Sequence, residues 1–275
     1  MDLGLGLGIS NFGGTFTGGF DPDAQIYFDA VVANSGALSD DEKTFYNTRR
    51  IDSKTNANPW DTNAHIDLPM IGGTVESMVV NAKSRNFDQI AVNTVAGDFT
   101  ANGFQLNGTD SYFRMILIAS TTLTLESIAM EFYSRTDSSD GTNMGAIVST
   151  SQRVQWSIRD VSGNFVADVY NNNSSEGRLS FANADSLGDH VYTRVSNTDA
   201  RGFKDATQIG SNATGGGSQP NIEFYLGAAN SGGTAAGFDD KQCAGAGILD
   251  GLTVAQAQAM SNAIETFNVS LGRNL

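Results

Sequence analysis

Two glutamates, Glu126 and Glu131, are the first residues whose spacing invites a test for chemistry. Retaining cleavage of a glycosidic bond needs two carboxyls about 5 Å apart. Side chains alternate faces along a strand, so residues five apart point to opposite sides. The pair is therefore not expected to act as nucleophile and acid. The only histidines are His65 and His190. A Ser-His-Asp triad needs one of them beside a nucleophile, and the chain has no Gly-x-Ser-x-Gly elbow. His190, at the start of an expected strand, is read as a hydrogen-bonded structural residue. Cys243 is the single cysteine, which excludes an internal disulfide and a thiolate metal cluster. Zinc lacks ligands. No catalytic residue is assigned, and the chain is not expected to be an enzyme.

Binding chemistry has more to work with. Asp137, Asp140 and Asn143 gather oxygen ligands within one seven-residue stretch, as do Asp239 and Asp240. Calcium takes about 6–8 oxygens, so it is the one cofactor weighed. The spacing is not that of an EF-hand, and a plain polar turn is the competing reading. Glycans are recognised by aromatic faces flanked by hydrogen-bonding groups. Tyr133, Trp156, Tyr170 and Asn172 are the candidates. Trp156 lies on the apolar side of its own alternation, Val154-Trp156-Ile158 against Gln155-Ser157-Arg159, so a place in the core competes with a place in a binding site. Gly215-Gly216-Gly217 lacks the lysine and following helix of a phosphate cradle.

The elements that would position these residues are mostly short strands. Expected strands are 104–107, 112–118, 127–134, 145–149, 153–159, 165–170, 179–182, 190–196, 206–210, 222–228 and 242–249. They are joined by Gly, Asn, Asp and Ser turns. Strands at this spacing imply a sandwich or barrel. Leu68 to Gly73 reads as an edge segment or buried turn, because Pro69 is confined to edges. Ahead of the strands, Asp21-Pro22-Asp23 starts one helix, with Ile26, Val31 and Val32 as its expected apolar face and Ser35-Gly36 as its end. Ser39 and Glu42 form a capping box for a second helix. Thr253 and Gln256 cap a last one, with Val254, Ala257, Met260, Ala263, Ile264 and Phe267 on one face. The opening stretch from Gly4 to Phe20 alternates Gly with Leu, Ile and Phe. It cannot hold a helix, and is read as an arm that docks on a partner or stays free.

The 275 residues carry 16 Lys+Arg against 30 Asp+Glu, a net charge of −14. Such a field repels phosphate backbones, so nucleic acid is not an expected partner. No apolar run is long enough to span a membrane, and Met1 to Gly6 lacks the basic start of a signal peptide.

Gly103 to Phe113 (GFQLNGTDSYF) resembles the opening strand pair of laminin G-like, concanavalin A-like sandwich domains. The segments 189–195, 204–210, 222–228 and 242–253 resemble that family's later strands. A closer likeness is to lectin-like structural proteins of tailed phages. It is carried by Trp60-Asp61, Leu68 to Thr74, Phe132 to Thr136, Tyr225 to Asn230, Asp250 to Thr253 and Leu271 to Arg273. The resemblance implies a mainly β, antiparallel jelly-roll sandwich with a short N-terminal helical region and a C-terminal helix. It divides the chain into an attachment region, 1–59, and a lectin-like sandwich, 60–275. It implies a virion protein of the tail-fibre or spike kind, homotrimeric by family habit, joined to other virion proteins through its N-terminal arm and touching host polysaccharide. The alternatives are a decoration protein that binds only its virion neighbours, and a glycan depolymerase. Enzymes of this sandwich superfamily carry Glu-x-Asp-x-x-Glu on a strand. Here Ile128 stands where the central Asp belongs.

Overall fold

A computed structural model describes residues 19–55, 63–170, 178–215 and 217–273. Helices α1 (Pro22–Ala33) and α2 (Asp40–Thr55) come first. They are followed by strand β1 (Ala64–Leu68), a short α3 (Val75–Met78), β2 (Gln89–Val92), β3 (Phe99–Thr100), β4 (Gly103–Gln105) and β5 (Tyr112–Ile118). A one-turn α4 (Ala119–Thr122) leads to β6 (Ile128–Ser134), β7 (Met144–Ile147), β8 (Arg153–Ser157), β9 (Asn164–Val169) and β10 (Leu179–Ala182). Then come β11 (Gly188–Ser196), β12 (Asp199–Lys204), β13 (Thr207–Asn212), β14 (Glu223–Leu226), β15 (Ala229–Ser231), β16 (Thr234–Ala236), β17 (Gln242–Leu249) and helix α5 (Val254–Ser270).

The strands form two mainly antiparallel sheets packed face to face as a β-sandwich. The first runs β13-β12-β11-β6-β17-β4-β3, with β1 also on β17. The second runs β10-β9-β8-β7-β14-β5-β2. The β15–β16 hairpin joins β7 in parallel register. Alternation explains the packing. Phe113, Met115 and Leu117 of β5, Val154 and Trp156 of β8, and Met130 and Phe132 of β6 all point into one inter-sheet core. Phe104 and Phe113 stack across it with ring centroids 4.5 Å apart.

The outer face of the first sheet is also apolar, and α5 covers it. Ala257, Met260 and Ile264 of α5 pack on Ala129, Tyr133, Val191 and Leu249, and the expected Thr253–Gln256 capping box closes the helix start. The Ser39–Glu42 box of α2 forms as well, with Glu42 N donating to Ser39 Oγ at 3.2 Å and Ser39 N to Glu42 Oε2 at 2.8 Å.

The apolar face of α1 differs from the expected one. Ile26 is 62% exposed and Val32 67%, whereas Ala24, Tyr27, Phe28 and Val31 are buried. Those four fall at i, i+3, i+4 and i+7, one stripe of a 3.6-residue period, and Ile26 and Val32 lie off it. Tyr27, Phe28 and Val31 join Tyr46 of α2, Ile71, Val80 and Phe267 of α5 in a third cluster. The helices expected as a separate attachment region thus share a core with segments beyond residue 59. The opening stretch up to residue 18 lies outside the described residues. Leu68 ends β1 on β17, and Pro69, Met70 and Ile71 form a buried turn in which Met70 adopts φ 49°.

Candidate functional site

The helical layer makes the molecule two-sided. α5 lies on the first sheet, α2 packs on α5, and α1 packs on α2. On the outer face of the second sheet Ile90 and Ile116 stay 43% and 40% exposed, whereas Tyr225, Gly145 and Asp168 are buried.

One rung crosses this face. Ile90 of β2 opposes Arg114 of β5, which opposes Tyr225 of β14. Tyr225 opposes Gly145 of β7, Gly145 opposes Gln155 of β8, and Gln155 opposes Asp168 of β9. Their sequence neighbours Phe113, Met115, Phe224, Leu226, Met144, Val154 and Trp156 fill the core, so parity sends the rung outward. Glycine is needed at 145, where a Cβ would meet Ala229 Cα at 2.9 Å.

The rung's polar groups are held by one another. Arg114 donates Nε and Nη2 to Glu223 Oε2 at 3.1 and 2.8 Å, and both side chains stay partly exposed. Beside them Tyr112 and Tyr225 lie with ring centroids 4.6 Å apart, and Phe238 is 6.1 Å from Tyr112. Partial burial raises the Tyr225 phenol above its usual range. Farther along, Asp168 is shielded from solvent and receives Arg178 in a two-pronged contact, Nε to Oδ1 at 3.0 Å and Nη2 to Oδ2 at 2.6 Å. Arg153 lies 3.3 Å from the same carboxylate and donates to Gln155 Oε1, while Gln155 Nε2 donates to Thr142 Oγ1 at 3.2 Å. Hydrogen bonding to Asp168 raises the Arg178 guanidinium further. The face therefore offers planar donors, the partly exposed Glu223 carboxylate and the partly exposed Tyr112 and Phe238 rings in fixed positions, a set suited to hydroxyl-rich ligands.

The residues expected from sequence to bind glycan do not build this face. Trp156 is fully buried between the sheets, 5.8 Å from Phe165 in an edge contact. Tyr170 is equally buried. The Tyr133 ring lies under α5, and its hydroxyl donates to Glu265 Oε2 at 2.9 Å beside an open cavity of about 410 Å³. None of these rings presents a face for a sugar, because each fills core volume. Asn172 lies outside the described residues. The rung was nevertheless announced by the alternation of Tyr112 to Ile118, which sets Tyr112, Arg114 and Ile116 opposite Phe113, Met115 and Leu117.

The oxygen cluster is also differently disposed. Asp137 accepts from Arg159 Nη1 at 2.8 Å and from Ser186 N at 3.1 Å. Asn143 is buried, donating Nδ2 to Asp239 Oδ2 at 2.7 Å and accepting from Ile158 N at 2.8 Å. The carbonyl of Asp140 receives Lys241 Nζ at 2.6 Å, and Lys241 also reaches Asp239 Oδ1 at 2.9 Å. The chain's own ammonium serves the oxygens between these loops, so Asp137, Asp140 and Asn143 are not assembled as one calcium-ligand set. Among the described residues no group of three or more His, Cys, Asp and Glu side chains is placed to hold a metal ion.

The groups tested for catalysis are likewise apart. Glu126 adopts φ 63° ahead of β6 and binds Arg194 at 2.9 Å, whereas Glu131 is buried beneath α5. His65 contacts Asp250 at 3.1 Å. His190 is buried, 3.0 Å from Asn183 Nδ2 and 3.3 Å from the Gly188 carbonyl. Cys243 is buried too, and burial pushes its thiol well above the usual range.

No protein-family model matches the chain, and no curated protein matches its sequence. Solved structures match by shape. A mutant of HCR/D aligns at a TM-score of 0.51 and 9% identity, over 74% of this chain and 52% of that one. A structure of botulinum neurotoxin type C, whose cell entry depends on interaction with two ganglioside molecules, aligns at 0.49 and 12%, over 76% and 53%. The NanB sialidase from Streptococcus pneumoniae aligns at 0.39 and 14%, over 56% and 26%. The likeness is one of fold. The chain spans about half the length of the first two and about a quarter of the sialidase. Among the described residues no helix is long and apolar enough to cross a membrane.

Proposed function

We propose that this chain is a structural protein of a phage virion, an appendage of the tail-fibre or spike kind that adheres to host-surface glycan through the outer face of its second sheet. The observation that carries the reading is the division of the two faces. Helices layer one sheet, while the other presents Arg114–Glu223, Tyr112 and Gln155, with Arg153 and Arg178 held in place by the buried Asp168. The virion context rests on the ordered sequence likeness from Trp60 to Arg273, and the proposed trimer rests on the same likeness. A glycan array probed with the full chain, and with Tyr112→Ala and Arg114→Gln, tests the adhesive role. Binding lost in both variants, with folding intact, supports it; silence across host polysaccharides sinks it.

The helical side favours a second reading. Ile26, Val32 and Val269 are apolar and largely exposed there, which suits contact with neighbouring virion proteins. A decoration protein would need that surface alone. Antibody labelling of the particle at head shell or tail tip separates the two, and release of reducing ends from host polysaccharide would point instead to a depolymerase.

A further inference from the structure

Beneath α5 the outer face of the first sheet is not wholly apolar. Glu131 sits on β6 between Ala129 and Tyr133, on the side α5 covers. On β11, Asp189 opposes Tyr133 and Val191 opposes Glu131, which sets the two carboxyls diagonally on the same face. Glu131 is 1% exposed and Asp189 fully shielded. By geometry Glu131 Oε1 and both oxygens of Asp189 are buried without a hydrogen-bond partner, and the Ser261 hydroxyl is a donor on the Asp189 side. An acid proton held between the two carboxyls would fill the gap on the Glu131 side, because two buried negative charges on one face repel strongly.

The surroundings do not supply a dedicated cation. Asp205, in the β12–β13 turn, accepts from Asp189 N at 2.9 Å and adds negative charge. From α5, Glu265 is bonded to Tyr133, and Ser261 Oγ accepts from Ala206 N at 2.8 Å. Lys204 of β12 is engaged by Asp185 at 2.5 Å. Arg49 of α2 approaches from the other side, held by Asp67 of β1 at 2.8 Å with its guanidinium over the Phe267 ring.

We propose that Glu131 and Asp189 share a proton that latches α5 to the first sheet, and that α5 loosens, with α2 packed on it, when the medium turns alkaline. Loss of that proton to solvent leaves two buried anions facing each other, and the nearest relief is to let water in under the helix. Burial and the Asp189 charge, helped by Asp67, hold the Glu131 carboxyl well above its usual range against the pull of Arg49. Burial, Asp205 and Glu265 act in the same direction on Asp189, against Ser261 and Glu131. Stability from the latch is therefore full in acid and lost as pH rises through the raised values. The latch needs no ligand and stands apart from the glycan reading.

Hydrogen exchange of the full chain, followed peptide by peptide between about pH 5 and pH 9 and corrected for intrinsic rates, tests it. Protection of α5 is expected to fall by about tenfold or more while β8 and β9 keep theirs. Asp189→Asn and Glu131→Gln, each removing one acid at constant shape, should flatten that dependence. Native α5 protection that does not change with pH would overturn the proposal, as would an unchanged fall in both variants. Should the variants fail to fold, infrared spectroscopy of the native chain decides. A protonated carboxylic acid band persisting at neutral pH supports the latch, and its absence overturns it.

Discussion

Lys241 and Asp239 form an ion pair with both side chains fully shielded from solvent, Nζ 2.9 Å from Oδ1. Three more bonds support it: Asn143 donates to the other carboxylate oxygen, Asp240 N donates to Oδ1, and Lys241 donates to the Asp140 carbonyl. Burial raises the Asp239 carboxyl to about 6, with Lys241 pulling it down. Lys241→Met removes that pull and strands a buried carboxylate, so a loss of about 3–5 kcal/mol is expected, read as a lower urea midpoint at unchanged slope. Because the ammonium already serves the loop oxygens, millimolar calcium is expected to leave the midpoint of the native chain where it is. A calcium-dependent rise would overturn this account of the loop.

Arg273 is a second buried cation, and here the partners are carbonyls. Its guanidinium donates to Met70 O at 2.7 Å, Ala101 O at 2.8 Å, Ala244 O at 3.2 Å and Pro69 O at 3.4 Å. Burial pulls it down to about 10. Arg273→Ala removes the guanidinium donor from the buried Pro69, Met70 and Ala244 carbonyls, at about 1–3 kcal/mol for each left unsatisfied, and should lower the melting temperature clearly. Arg273→Lys should recover little, since a single ammonium cannot span the fork. Equal melting of the lysine variant and the native chain would refute the role.

How much of this was legible in sequence depends on what sets each feature. Capping boxes at Ser39 and Thr253, and the strands 112–118, 179–182 and 242–249, are local signals, and the structure keeps them at those places. Strand β12 carries Asp199, Arg201 and Lys204 around Gly202, so no apolar run marks it. Its place comes from pairing with β11 and β13. The candidate rings were misplaced for a related reason. The alternation around Trp156 already points it toward the core, whereas the burial of Tyr133 depends on where α5 packs. The alternation of Tyr112 with Phe113 carries the same kind of signal.

Trp156 and Tyr112 separate stability from binding. Trp156→Ala empties the inter-sheet core and should cost about 3–5 kcal/mol, while any glycan binding by the folded fraction stays as in the native chain. Tyr112→Ala removes a half-exposed ring and should change the urea midpoint little while weakening binding. Intrinsic fluorescence during unfolding and titration of a glycan at fixed folded concentration would give the two readouts. A binding loss that follows Trp156 and spares Tyr112 would place the site elsewhere.

His190 sets an acid limit opposite in sign to the carboxyl latch. Burial, with Lys204 nearby, pulls its imidazole down from the usual 6.5 to about 3. The neutral ring fits its partners when Nδ1–H donates to the Gly188 carbonyl and Nε2 accepts from Asn183. A base whose folded value is depressed contributes stability above its unfolded value, and that stability falls away as pH drops toward the folded one. The expected loss between about pH 6.5 and pH 3 is on the order of 4 kcal/mol. Nitrogen-detected NMR should show the Nδ1–H tautomer unchanged down to about pH 4 in the folded chain. Urea midpoints should fall as pH drops from about 6.5 toward 3, and His190→Gln should blunt that fall. An imidazolium signal from the folded chain near pH 6 would contradict the assignment.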